Sequence, residues 1–248
     1  MKKEIQIHGL NKLTMLDYPG LLACTLFTGY CNFLCPYCQN ASLVLAPSSQ
    51  PVIANDEIMN FLKSRVGMLE GVCITGGEPT MFPEALYNFI KEVKELGYKV
   101  KLDTNGSHPD ILEKLIDEGL LDYVAMDIKT SRENYAAVCG KSGDKNFPIK
   151  EIEKSVELIM NRMPDYEFRT TTVEELHKRE DFEAMAQWLS GAKALYLQSY
   201  TESDDILINY DKKYAEMGFK FHAFKKEQLE EFAEILRKKI RKVEIRGV

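Results

Sequence analysis

Six short apolar runs separated by stretches of helical period constrain this 248-residue chain more than any other feature. The runs are Leu21–Thr28, Val72–Thr75, Lys99–Asp103, Tyr123–Asp127, Glu167–Val173 and Ala194–Gln198. Each is rich in branched or aromatic residues and bounded by turn residues, which marks a strand. Asn55–Leu69, Pro83–Leu96, Pro109–Glu118, Ile149–Asn161, Arg179–Leu189 and Lys226–Lys239 carry apolar residues at helical spacing. Asn55 is a candidate N-cap, Pro83 suits a first helical position, and Gly97 and Gly119 stand where helices stop.

Strands alternating with helices predict an α/β fold whose sheet is mostly parallel, with right-handed crossovers. Six strands are fewer than the eight of a closed (β/α)₈ barrel, so a partial (β/α)6 barrel or a curved open sheet is expected. Either architecture places the chemistry just after the strands, at their carboxyl ends. No linker interrupts the pattern, so residues 1–248 read as one domain. Residues 46–51 and 139–147 read as loops.

Composition excludes several function classes. The formal net charge is −6, without the basic excess that nucleic-acid binding requires. The short basic run Lys238, Lys239, Arg241 and Lys242 reads as a solvated helix end. The longest apolar runs fall well short of the ~20 residues a membrane helix needs. The opening MKKEIQIHGL has no apolar core of signal-peptide length. A cytoplasmic protein is expected. Six cysteines in this length are not a disulfide scaffold, yet three of them crowd into eight positions, which points to metal or cluster binding.

Those three are Cys31, Cys35 and Cys38, spaced C-x-x-x-C-x-x-C just after the first strand. Three thiolates are one short of a closed electron-transfer cluster and one short of a closed structural zinc site. A cubane held by three thiolates leaves one iron open to a small molecule, and an open position is what catalysis needs. Zinc would require a fourth ligand from Cys24, Cys73, Cys139 or a histidine, and no partner C-x-x-C or H-x₃₋₅-H follows. Cys24 and Cys73 read as buried apolar thiols.

The cysteine spacing, with Tyr37 before the last cysteine, resembles the signature of the radical S-adenosylmethionine superfamily. Further motifs follow in the order that family would have. Gly76-Gly77-Glu78-Pro79 resembles the GGEP element that holds the amino group of S-adenosylmethionine, Gly76 and Gly77 through backbone with Glu78 in support. Asp103-Thr104-Asn105-Gly106 and Asp127-Ile128-Lys129 resemble the DTNG and D-x-K elements of glycyl-radical-enzyme activases. The resemblance implies that Lys129 pairs with the substrate carboxylate, and that Asp103 and Asp127 bind a monovalent cation beside it. Arg169 is a charge inside an apolar strand, either facing bound S-adenosylmethionine or paired at a surface edge. Tyr200 falls where related activases carry a histidine near the ribose, a departure that leaves stacking or hydrogen bonding to the nucleoside as its expected role.

The resemblance implies a radical-SAM partial barrel. Its [4Fe–4S] cluster would cleave S-adenosylmethionine to a 5′-deoxyadenosyl radical, which would install a glycyl radical on a partner enzyme. The segment Leu10–Gly20, with its Asp17-Tyr18-Pro19-Gly20, resembles the opening of activating proteins for anaerobic ribonucleoside-triphosphate reductase. No further cysteine cluster lies between Cys38 and Gly76, so a single cluster is expected, reduced by flavodoxin or ferredoxin. The alternatives are an activase of the pyruvate formate-lyase type, a small-molecule radical enzyme such as one making a deazaguanine, and a non-enzymatic iron–sulfur or zinc protein.

Overall fold

The computed structural model describes residues 4–211 and 219–248. Among these residues a single sheet carries eight strands in sequential order: β1 (Ile7–Thr14), β2 (Ala23–Thr28), β3 (Gly71–Gly76), β4 (Lys99–Thr104), β5 (Tyr123–Asp127), β6 (Tyr166–Thr172), β7 (Leu195–Ser199) and β8 (Val243–Arg246). β1 runs antiparallel to β2, and every later pairing is parallel. The edges β1 and β8 do not pair with each other, so the barrel is partial.

The six expected strands are present within two residues at their ends, and two strands are added. β1 was read only as an opening segment. Its pairing with β2 is interrupted by register shifts, which blur the period-two pattern. β8 is four residues long and alternates Val243, Glu244, Ile245, Arg246, too short to separate from the helix before it. That helix ends at Arg237, so the basic run is exposed chain leading into β8. The second helix spans Asn55–Arg65, shorter than expected, and its N-cap is Ala54, with Asn55 already helical. No helix among the described residues is long and apolar enough to cross a membrane.

The strand period explains where the site lies. Along the parallel strands one face points to the helices and the other into the curved interior. Leu26, Val72, Ile74, Val100, Leu102, Val124, Met126, Phe168, Leu195 and Leu197 belong to the apolar cluster shared with the helical residues Leu86, Phe89, Ile90 and Val93. The alternate positions carry Thr25, Cys73, Lys101, Asp103, Asp127, Glu167 and Arg169. The outward face therefore supplies the hydrophobic burial that stabilises the fold, and the concave face is free to be polar. Its amino-terminal end is plugged by Tyr18, which is buried with its ring 5.9 Å from that of Tyr123. Asp17 beside it accepts a hydrogen bond from the Thr25 hydroxyl at 2.5 Å. Arg246 of β8 ties the last strand to Glu167 of β6, Nη2 lying 3.0 Å from the carboxylate.

Candidate functional site

One cavity opens at the carboxyl ends of the strands, and twelve of the thirteen residues singled out from the sequence line it: Cys31, Cys35, Tyr37, Cys38, Gly76, Gly77, Glu78, Asp103, Asn105, Asp127, Lys129 and Arg169. The thirteenth, Tyr200, is buried with its ring against Phe221 and lines a different cavity, with Glu202 and Lys220. The strand-end placement expected for the chemistry-bearing residues is what the fold delivers.

The cysteine loop is held from several sides. Tyr30, just before Cys31, adopts a φ of 66°, and it is the one non-glycine described residue in the left-handed region. The Leu34 amide donates to the Cys139 carbonyl at 3.0 Å. The amides of Leu207 and Ile208 donate to the carbonyls of Cys38 and Pro36 at 3.0 and 2.9 Å. Burial pushes the Cys31 thiol up to about 12 and raises Cys38. Cys35 goes the other way, because the buried Cys139 thiol hydrogen-bonds to it. Sequence reasoning placed Cys139 in a loop and missed this contact, which joins residues a hundred positions apart.

The three cysteines do not converge as ligands of one small ion. Among the described residues the single set of three or more His, Cys, Asp or Glu ligand atoms within 4.8 Å of one another is the exposed Glu174, Glu175 and His222. Tetrahedral zinc at ~2.3 Å per sulfur needs sulfurs about 3.8 Å apart. The sulfurs of Cys31, Cys35 and Cys38 do not all lie within 4.8 Å of one another. Three thiolates from the one loop, with Cys139 hydrogen-bonded behind Cys35, supply the donor set of a [4Fe–4S] group with one iron left for a ligand.

The glycine pair also answers a steric requirement within the fold. A Cβ on Gly76 would meet the backbone of Thr28 at 2.3 Å, and one on Gly77 would meet the Tyr30 carbonyl at 1.9 Å. The glycines let the end of β3 close on the start of the cysteine loop, where Gly77 N donates to Thr28 O at 2.8 Å and Glu78 N to Tyr30 O at 2.7 Å. Glu78 is buried and its carboxylate is fully engaged. Oε1 accepts from the Thr80 amide at 3.1 Å, the Thr80 hydroxyl at 2.5 Å and the Thr104 hydroxyl at 2.8 Å. Oε2 accepts from the Asn105 amide at 2.6 Å. Burial raises this carboxyl above the ordinary range, against the pull of those donors. Glu78 thus latches the end of β3 to the end of β4, and Asn105 in turn points its amide at Cys31 Sγ, 3.8 Å away.

On the opposite wall Arg169 is cavity-facing. Its guanidinium bridges Asp103 and Asp127 with contacts of 2.9 and 3.0 Å. Lys129 Nζ lies 2.9 Å from Asp127. Burial would raise Asp127, but Lys129 and Arg169 outweigh it and hold its pKa down to about 2. Asp103 is likewise held below the ordinary range by Arg169 and Lys101 despite its burial. Lys101 was missed, although its place two residues before Asp103 in one strand puts both on the concave face.

Comparison with known proteins fits this geometry. Residues 25–189 match the family model of the radical SAM superfamily. The chain belongs to the radical S-adenosylmethionine superfamily. Such an enzyme uses a [4Fe–4S] cluster and S-adenosylmethionine, and the residues present fit both. Three cysteines leave one iron open, and the Tyr37 hydroxyl, buried on the cavity wall, has no hydrogen-bond partner among the described residues. Over 245 residues the chain is 31% identical to a Methanocaldococcus jannaschii protein described as a candidate glycyl-radical enzyme activating enzyme, covering 98% of this chain and 96% of that one. It is 29% identical to a pyruvate formate-lyase-activating enzyme of Clostridium pasteurianum over 156 residues, 60% of this radical SAM chain and 63% of the relative. Among solved folds it resembles Streptococcus suis SuiB bound to S-adenosylmethionine, with a TM-score of 0.64 at 14% identity over 88% of this chain and 48% of that one.

Proposed function

We propose that this radical S-adenosylmethionine enzyme activates a glycyl radical enzyme, and that its partner is anaerobic ribonucleoside-triphosphate reductase. The observation that supports it most is the near end-to-end similarity to the Methanocaldococcus relative, which spans 98% of this chain and 96% of that one. The Asp17–Gly20 element points to the reductase as partner. The structure between Cys38 and β3 is a short helix (Ala41–Leu45), a 3-10 turn (Pro47–Ser49) and the helix Asn55–Arg65, in keeping with a single cluster.

The bound groups supply one-electron cleavage of a sulfonium, giving a carbon radical able to take a glycine Cα hydrogen. The chain's own residues bind and orient. Cys31, Cys35 and Cys38 hold the cluster, with Asn105 Nδ2 directed at one of the sulfurs. The backbone of Gly76 and Gly77, on the cavity wall, would hold the amino end of S-adenosylmethionine. Lys129 and Arg169 offer two cations to a carboxylate, Lys129 as a compact charge and Arg169 as a fork. Tyr37 contributes its hydroxyl, while Tyr200 lines the neighbouring cavity with Glu202 and Lys220. Flavodoxin or ferredoxin would supply the electron.

A second reading has a specific observation behind it. A 7-carboxy-7-deazaguanine synthase of Methanothermobacter thermautotrophicus is 32% identical over 134 residues, 52% of this chain and 51% of that one. One experiment separates the readings. Anaerobically reconstituted protein with dithionite and S-adenosylmethionine is assayed for 5′-deoxyadenosine, and for a glycyl radical by electron paramagnetic resonance after addition of a reductase. The expected result is both products, and neither from Cys35→Ala, whose iron and sulfide content should also fall. Cleavage with no radical on any reductase or formate-lyase, but turnover of a deazaguanine precursor, would replace the activase reading.

A further inference from the structure

Asp103 and Asp127 stand at neighbouring strand ends, where the family resemblance has two carboxylates share a monovalent cation. The side chains around them do not fit an added ion. Asp103 Oδ1 is paired with Lys101 Nζ, and Oδ2 takes Arg169 Nη1 at 2.9 Å. Asp127 Oδ1 takes Arg169 Nη2 at 3.0 Å, and Oδ2 takes Lys129 Nζ at 2.9 Å. All four carboxylate oxygens already face a cationic nitrogen of the chain. With all four oxygens engaged, a further positive ion could reach them only by displacing one of the chain's own cations.

Lys101 differs from the other two cations. Arg169 and Lys129 line the cavity and have room to turn toward a ligand. Lys101 lies one layer deeper on β4 and is 1% exposed. Its neighbours across the sheet are Cys73 and Tyr123. The Cys73 sulfur is 3.8 Å from its ammonium, and the Tyr123 ring centroid is 5.9 Å away. The Tyr123 hydroxyl is committed to Glu167 at 3.2 Å. Among the described residues Asp103 is the one carboxylate paired with Lys101. A buried ammonium separated from its carboxylate is strongly unfavourable, so this pair stays together when a ligand draws Arg169 away.

We propose that the Lys101 ammonium is the built-in counter-cation of Asp103, so that this site binds S-adenosylmethionine without an added monovalent metal ion. The proposal rests on the reading that S-adenosylmethionine occupies the cavity. Lys101 acts as a positioning residue. It fixes Asp103, and the two residues that follow carry the bonds from Thr104 and Asn105 to Glu78 and the approach of Asn105 to Cys31.

The test compares potassium chloride with choline chloride at fixed ionic strength. Reconstituted wild-type protein and Lys101→Ala are measured for S-adenosylmethionine affinity by equilibrium dialysis and for Tm. Wild type should bind equally in both salts, within about twofold, with an unchanged Tm. Lys101→Ala should bind at least about tenfold more weakly in choline. Potassium or ammonium, small enough to enter the space left by the side chain, should restore most of the affinity and raise the Tm. Wild-type affinity that rises about tenfold with potassium would overturn the proposal. So would a Lys101→Ala protein that binds normally in choline, or one that neither ion rescues. If the alanine variant fails to fold, the wild-type comparison still decides, and Lys101→Ser repeats the rescue. If wild type binds no S-adenosylmethionine in either salt, the reading of the cavity fails, and the effect of potassium on Tm still judges Lys101 separately.

Discussion

Glu78→Gln tests whether the residue after the glycine pair is a latch within the protein or a ligand for substrate. Its carboxylate accepts four hydrogen bonds, three on Oε1 and one on Oε2. A glutamine keeps the shape but has only one acceptor oxygen. With that oxygen in the Oε1 position, its NH₂ faces the Asn105 amide. Flipped, the NH₂ faces the Thr80 amide. The threonine hydroxyls can rotate to accept, but a backbone N–H cannot, so either orientation leaves one buried amide opposed by another donor. An unsatisfied buried donor costs about 1–3 kcal/mol, and the bonds that remain lose their charge assistance, giving about 2–4 kcal/mol in total. For a chain of this size that corresponds to a Tm drop on the order of 10 °C. Anaerobic urea unfolding of the reconstituted protein reads the loss, and equilibrium dialysis reads S-adenosylmethionine affinity alongside it. A variant within about 0.5 kcal/mol of wild type that nonetheless binds S-adenosylmethionine tenfold more weakly would refute the latch and make Glu78 a ligand.

Three further outcomes are expected. Gly77→Ala drives a Cβ into the Tyr30 carbonyl, so it should cost about 3 kcal/mol or more and reduce cluster content, and a soluble variant with wild-type iron and Tm would show the contact to be slack. Arg246→Met leaves Glu167, 1% exposed, with the Tyr123 hydroxyl as its one hydrogen-bond donor among the described residues. Because solvent reaches the arginine, the cost should be about 1–3 kcal/mol, less than for a fully buried pair, and unchanged urea unfolding would refute it. His177 is buried, with Nε2 donating to the Lys129 carbonyl at 2.8 Å and Nδ1 accepting from the Val173 amide at 3.1 Å. Burial holds its pKa below the ordinary value, so the unfolded chain takes up the proton first. Stability should therefore be flat above about pH 7 and decline as pH falls below about 6.5, with His177→Gln removing that slope. Equal wild-type stability by urea unfolding on both sides of that window would contradict the assignment.

Much of the fold was legible because parallel strands buried against helices are short, apolar and punctuated by turns. Tyr123–Asp127 was located to the residue, and the other five to within two positions. β1 and β8 were not legible. Each is an edge strand with one partner, and a charged four-residue segment such as Val243–Arg246 becomes a strand only because β7 offers it a ladder. The site residues stood out as motifs after strands, since the carboxyl ends of parallel strands meet at one mouth.

What the motifs could not carry was who touches whom. The sequence by itself determined the alternating α/β architecture, the cysteine loop with its missing fourth ligand, and the order of the acidic and basic residues that follow the strands. These are local properties of spacing and residue type. Only the tertiary structure decided that Gly76 and Gly77 make room for the cysteine loop, that Cys139 stands behind Cys35, that Tyr200 lines a different cavity, and that Lys101 fills the charge beside Asp103. Each of those depends on contacts between strands or loops far apart in the chain, whose distances are set by sheet register and curvature, and register is fixed by the packing of the whole apolar face rather than by any one segment.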